Sequence, residues 1–346
     1  MVAFFSKSKN ILSFEVFFMK RKLLSFAVIL VVLSGAASLF AEDVENPSEL
    51  SIATDFTLWP DNNPIYGETS THFSPITGFY QALELRSIIT YSYKIPVPFG
   101  TNPLVSGNNV KLVGTAEITP VSIALEPSVE FTPIAFLVFS SGFRMGTGWN
   151  FIGINGFANY DDAAGKYEPV TPFADWYLRF WMQGLFQFDL AAVLPGDWNH
   201  VVTQATYQAL YTMNTDVKKG DAWCWQGSNN LVNGWEYYSS VFLGYQMPLL
   251  LQMVGVMFEF SGYYDADGIK TEYRAFKNDF MTTQISPLAN IQFNEHHSLA
   301  VMFNFSNRRG FDRAANDANH ETDLNLTYTS DEWFFKRVAL RYSYTF

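Results

Sequence analysis

From Leu50 to the C-terminus one pattern recurs. Stretches of about nine to sixteen residues alternate apolar and polar side chains with period two, the signature of strands with one apolar and one wet face. The pattern predicts strands over Leu50–Leu58, Phe79–Ile95, Val110–Ile118, Val121–Phe131, Ile134–Thr147, Phe173–Ala192, Val201–Met213, Trp235–Met247, Leu249–Tyr264, Met281–Asn294, Ser298–Asn307 and Trp333–Phe346, with a weaker stretch at Thr322–Thr329. Phe173–Ala192 is the cleanest: Trp176, Leu178, Phe180, Met182, Phe186, Phe188 and Leu190 share one face, and Asp175, Arg179, Gln183, Gln187 and Asp189 share the other. Pro127 sits on the apolar face of its strand and removes one backbone donor there. No apolar run beyond residue 50 is long and continuous enough for a transmembrane helix.

In the last stretch, WFFKRVALRYSYTF, the even positions from Val338 are apolar and the odd positions are small or polar. Leu340, Tyr342, Tyr344 and the terminal Phe346 resemble the C-terminal signal by which bacterial outer-membrane β-barrels are recognised for assembly. The resemblance covers about fourteen residues and implies a transmembrane, antiparallel, up-and-down β-barrel, porin-like in class, in the outer membrane of a diderm bacterium. Its implied partners are outer-membrane lipid and the barrel-assembly machinery.

Thirteen alternating stretches conflict with the even strand number of single-chain bacterial barrels. If Thr322–Thr329 extends the last loop, twelve crossings remain, with fourteen as the alternative count. Long loops near 59–78, 148–172, 214–233, 265–279 and 308–332 then lie outside, and the short turns PGDWNH, Pro248 and NEHH lie inside. The Thr119–Pro120 turn and the connection 96–109 are exceptions to that rule.

Residues 1–41 read as a signal peptide. Lys20, Arg21 and Lys22 precede an apolar run from Leu23 to Phe40, and Ala37 or Ala41 offers a cleavage site. Met19 suits the start of such a signal, so residues 1–18 read as an over-extended start. Residues 42–49 form a short segment before a barrel over 50–346.

Composition agrees with this division. Aromatic residues make up 17% of the chain and charged residues only 16%, below the roughly 25% of soluble domains. Mean hydropathy is nevertheless close to zero, as expected when every second strand residue faces water. The formal charge is −11, and −15 without residues 1–41, which excludes nucleic acid as a partner. Cys224 is the single cysteine, so no intrachain disulfide exists.

No catalytic motif or cofactor-binding motif is present. FNFSNRRG at Phe303–Gly310 faintly resembles the His, Ser, Asn segment of outer-membrane phospholipases, but Asn304 stands where that family has its histidine, leaving Ser306 without a base. His296 and His297 are adjacent on an extended chain and point apart, so they form no metal pair. Trp223, Cys224 and Trp225 read as a loop packed by its own indoles.

Function is therefore expected on the inward face. The alternation assigns Glu84, Arg86, Lys111, Glu117, Glu126, Glu130, Asp175, Arg179, Gln183, Asp189, Glu236 and Arg341 to a lumen lining. Mixed charges with an acidic excess fit a passive channel for small polar solutes with a slight cation preference, and a homo-oligomer is compatible with that class. Inward Phe136, Val138, Tyr177, Trp181, Tyr238 and Phe242 fit a transporter of hydrophobic substrates instead, and the aromatic loops fit a surface-exposed adhesin or structural barrel. None of these readings makes the chain an enzyme.

Overall fold

A computed structural model describes residues 47–97, 99–102, 104–265, 268–313 and 323–346, without the side chains of 79–81. The expected signal peptide and most of the segment 42–49 lie outside the described residues.

Twelve antiparallel strands close on themselves: β1 Ser48–Asp61, β2 Gly78–Pro96, β3 Asn109–Thr119, β4 Ser122–Ile134, β5 Leu137–Gly148, β6 Tyr177–Asp189, β7 His200–Asn214, β8 Gly234–Gln246, β9 Leu251–Tyr263, β10 Thr282–Gln292, β11 His297–Phe311 and β12 Tyr328–Thr345. Each pairs with the next, and β12 returns to β1 from Ser51 opposite Thr345 to Leu58 opposite Val338. Closure leaves every strand two neighbours and the barrel no open edge. One further strand, His72–Phe73, runs parallel to Glu332–Trp333 above the closed wall.

Twelve is the count that follows when Thr322–Thr329 is assigned to the last loop, and its final residues, Tyr328 and Thr329, begin β12. The expected break between β4 and β5 moves: β4 runs through Ile134, and Ala135 and Phe136 form the turn. Phe136 is therefore not an inward strand residue, and its ring packs against Phe186 at 6.1 Å. Pro127 has the effect its missing N–H implies, since the β4–β5 ladder jumps from Leu125–Met145 to Ser128–Gly142.

The terminal strand holds the largest departure from simple alternation. Asn304 faces Arg337, but the next residue, Phe305, faces Phe335, so Lys336 bulges out of the ladder. The bulge exchanges the two faces of β12. Val338 and Leu340 share a face with Phe303 and Val301, whereas above the bulge Phe335 takes that face against the Phe305 ring at 5.1 Å.

The barrel is apolar outside and polar inside. Leu83, Leu125, Met182 and Leu243 are 43–54% exposed on the outer wall. A continuous apolar surface of this kind around a barrel matches bilayer hydrocarbon and has no counterpart on soluble monomers. Exposed Trp176 and Trp235 mark the end with the long loops, and Tyr91, Tyr93 and Tyr342 the end with the short turns. The buried apolar clusters lie mainly in the long loops, where a barrel of this size leaves room for them.

Candidate functional site: the inner wall and the hairpin above it

A ribbon of paired charges crosses half of the inner wall. Asp55 on β1 accepts from Arg341 of β12 (Nε 2.6 Å) and from Arg86 of β2 (Nε 2.9 Å). Arg86 reaches Glu117 of β3 at 3.5 Å, and Arg144 of β5 donates to Glu117 at 2.6 Å and to Glu126 of β4 at 3.3 Å. The Trp181 indole of β6 closes the series on Glu126 at 3.1 Å. Three carboxylates and three guanidiniums thus alternate along the wall. Asp55 and Glu117 are buried, so each charge has exchanged water for charge-assisted hydrogen bonds.

Neutral polar groups continue the girdle. Arg337 donates to Asn304, which donates to Ser286 at 2.7 Å. Glu259 accepts from Tyr238 at 2.8 Å and from Gln284. Gln183 reaches Ser140 and Gln208. Nearer the short turns the wall from β8 to β11 carries an apolar patch: Phe242 stands opposite Met257, and Leu288 opposite Met302.

Two long loops fold inward over the ribbon. Phe157–Asp161 and Lys166–Pro169 from the loop before β6 join Trp223–Trp225 and Ser228–Leu231 from the loop before β8 in a four-stranded sheet. Gln226 and Gly227, with φ of 53° and 79°, form the two-residue turn of the latter hairpin, the backbone geometry such tight turns require. The hairpin tip rests on the wall. Trp225 stacks on Tyr177 at 4.7 Å, and Gln226 Nε2 donates to Glu117 at 2.8 Å and to Ser122 at 2.7 Å. Gly146 makes the seat, because a Cβ there would come within 2.8 Å of the Trp225 ring.

Phe157, Trp223 and Cys224, all within this sheet, are completely buried. Burial pushes the Cys224 thiol up to about 12. A second apolar cluster joins four loops through Tyr160, Val232, Phe276, Phe311, Leu324 and Leu326. Lys270 holds these loops together, bonded to Asp162 and, at 2.8 Å, to Asp221, while Tyr273 donates to Asp162 at 2.9 Å. The bonds to Asp162 and Asp221 raise the Lys270 pKa, and the bond from Lys270 lowers that of Asp162.

The expected lining residues separate by environment. Arg86, Glu117, Glu126 and Arg341 stand in the ribbon, and Gln183 in its neutral continuation. Glu84 lies 3.9 Å from Arg337. Lys111 and Glu130 face each other in register across β3 and β4. Arg179 donates to Thr212 and lies over the Tyr177 ring. Glu236 has one buried oxygen without a partner. Asp189 sits at the inner end, paired with His200 and capping the single turn Leu190–Ala192. Asp175 precedes β6 and is buried under the loop sheet, where Asn159 donates to it.

Asp55, Arg144 and Gln226 join the network although the alternation marks the first two only as polar positions and says nothing of the third. At the inner turns His297 pairs with Tyr342, and His296 with the Thr345 carbonyl. Ser306 donates to the carbonyls of Thr283 and Asn307.

No protein-family model and no curated protein matches the chain. It is similar to solved outer-membrane barrels. With an outer-membrane channel from Pseudomonas putida F1 it shares 12% identity over 88% of this chain and 97% of that one, at a TM-score of 0.45. With the KdgM porin the values are 7%, 86%, 99% and 0.35. With a deletion mutant of the monoaromatic hydrocarbon channel TodX they are 7%, 87%, 91% and 0.37. These likenesses are of general architecture.

Proposed function

We propose that this chain is an outer-membrane channel for passive diffusion of small polar solutes, narrowed at its outer mouth by the Trp223–Leu231 hairpin. The observation that carries this reading is the girdle of paired charges on the inner wall directly beneath the hairpin tip. Polar groups inside a closed barrel keep water there, and the hairpin sets the size limit. Because Asp55, Glu117 and Glu126 are matched by three arginines, selectivity by charge is slight. What cation preference exists falls to carboxylates outside the ribbon, such as Glu84 and Glu130, and to the acidic loops. Export by the N-terminal signal and recognition of the C-terminal strand by the assembly machinery belong to the same reading.

Recordings from the refolded barrel in a planar bilayer, with reversal potentials taken in a salt gradient, test it. Stable unitary steps with weak cation preference are expected. A correctly folded barrel that passes no ions would overturn it.

The patch of Phe242, Met253, Met257, Leu288 and Met302 favours a second reading, a channel for solutes with an apolar body, because flexible thioethers accommodate varied apolar shapes. Under that reading vesicles carrying the barrel take up a small aromatic hydrocarbon faster than empty vesicles, and Met257→Glu abolishes the difference while sparing ion conductance.

A further inference from the structure

Above the short Thr119–Pro120 turn, the chain from Trp149 to Gly156 forms a small hairpin, with Asn150–Phe151 paired to Ile154–Asn155 and Ile152–Gly153 at its tip. Two features set it apart. Ile152 has a φ of 52°, a left-handed conformation that a β-branched side chain rarely adopts, and is 62% exposed. Phe173, in the same loop before β6, has a φ of 65° and is 59% exposed. Both side chains are thus held largely in the open on strained backbone, Phe173 with one ring contact and Ile152 at the hairpin tip.

Their surroundings indicate what covers them. Trp149 keeps the strand parity of Phe143 and Met145 on β5, beyond Thr147, which is buried and donates to the Asp175 carbonyl. Its indole N–H donates to the Pro120 carbonyl at the rim, and its ring meets Phe173 at 5.5 Å. Trp149, Phe173, Ile152 and Ile154 therefore add apolar surface beside the short Thr119–Pro120 turn. From Met145 to Tyr160 the sequence carries no Asp, Glu, Lys, Arg or His, in a chain otherwise rich in acid. An acidic loop would be repelled by anionic lipid headgroups, and this stretch would not be.

We infer that the Trp149–Gly156 hairpin, with Phe173, is an apolar finger that seats in the outer leaflet at the boundary between headgroups and acyl chains. A tryptophan at its base and uncharged apolar side chains at its tip are the groups that partition there. The inference rests on the outer wall being lipid-facing, and is separate from conduction.

The test uses the full chain carrying Cys224→Ser, with single cysteines introduced by Ile152→Cys, Leu125→Cys or Lys166→Cys. Each is labelled with an environment-sensitive nitrobenzoxadiazole and refolded into phosphatidylcholine vesicles, with and without lipids bearing a quencher on the acyl chain near the headgroup. Emission from position 152 should fall by about half with the shallow quencher, as for a group at the interface, and position 166 should be unaffected. Position 125, on the outer wall, is the control for membrane seating. Quenching at 125 but not at 152 overturns the finger. Absence of quenching at both overturns the lipid-facing wall itself. Cross-linking of position 152 to a second copy without lipid quenching would assign the finger to a protein contact and likewise overturn the inference.

Discussion

Trp225→Ala asks whether the hairpin constricts the lumen. The indole is 7% exposed and stacked on Tyr177, and truncating a buried tryptophan to alanine costs about 3–5 kcal/mol. The twelve-stranded ladder does not depend on this contact, so the loss falls on the docking of the hairpin against the wall. At about 1.4 kcal/mol per factor of ten, the ratio of docked to released hairpin should fall roughly a hundred- to a few-thousand-fold. Gln226→Ala should shift it less, about tenfold, because Glu117 keeps its bond to Arg144. Two readouts are needed: unitary conductance in a planar bilayer, and trypsin cleavage after Lys218 and Lys219, which lie in the same loop. Trp225→Ala should raise conductance and accelerate cleavage while leaving the melting temperature of the barrel nearly unchanged. Faster cleavage at unchanged conductance would refute the constriction, because the hairpin would have left without widening the path. If neither changes, the indole does not hold the hairpin.

Arg144→Gln leaves Glu117 and Glu126 with an uncompensated charge. It should move the reversal potential toward cations and cost about 3–5 kcal/mol in denaturant titrations, as for breaking a buried pair. Unchanged selectivity would remove the ribbon from the ion path. With its pKa at about 12 against an ordinary 9, the Cys224 thiol should react with iodoacetamide at pH 8 roughly a thousandfold more slowly in the folded barrel than after unfolding. The Lys270 contacts give the loops a pH window. Asp162 is held below its ordinary 3.8, so its contribution is present above that pH and lost as pH falls through the lowered value. Lys270 is held above its ordinary 10.5, so its contribution is present below that pH and lost as pH rises through the raised value. Protease susceptibility of the 214–233 loop should therefore be flat between about pH 4 and 10 and rise beyond both ends, and in Lys270→Met it should be raised throughout.

The wall of this protein was legible because strand alternation has a fixed period and a closed barrel imposes it on every strand. Met182 and Leu243 could face only lipid once their polar neighbours faced water. Local exceptions were harder to read. Lys336 bulges because its strand must change register, and FFKR contains no period that marks where. Asp175 continues the alternation of β6 but lies before the strand begins, since Thr171 to Trp176 turn back beneath the loop sheet. The inward fold of the loops depends on partners distant in sequence: Trp225 needs Tyr177, and Gln226 needs Glu117, 109 positions away. The dipeptide Gln226–Gly227 between Trp225 and Ser228 was the available signal for a tight hairpin, though not for where it rests.

The seam between the first and last strands has a consequence for assembly. Asp55 is bonded on one side to Arg86 of β2, its neighbour from the start, and on the other to Arg341 of β12, which arrives last. A wall with β12 unattached leaves Arg341 without its carboxylate inside a low-dielectric sheet, and Asp55 with half of its donors. Completion of the cylinder is thus accompanied by charge neutralisation at one carboxylate, and an unfinished or misregistered closure is penalised there. Asp55 thus ties the pairing of one carboxylate to the closed seam, as no residue of the middle strands can.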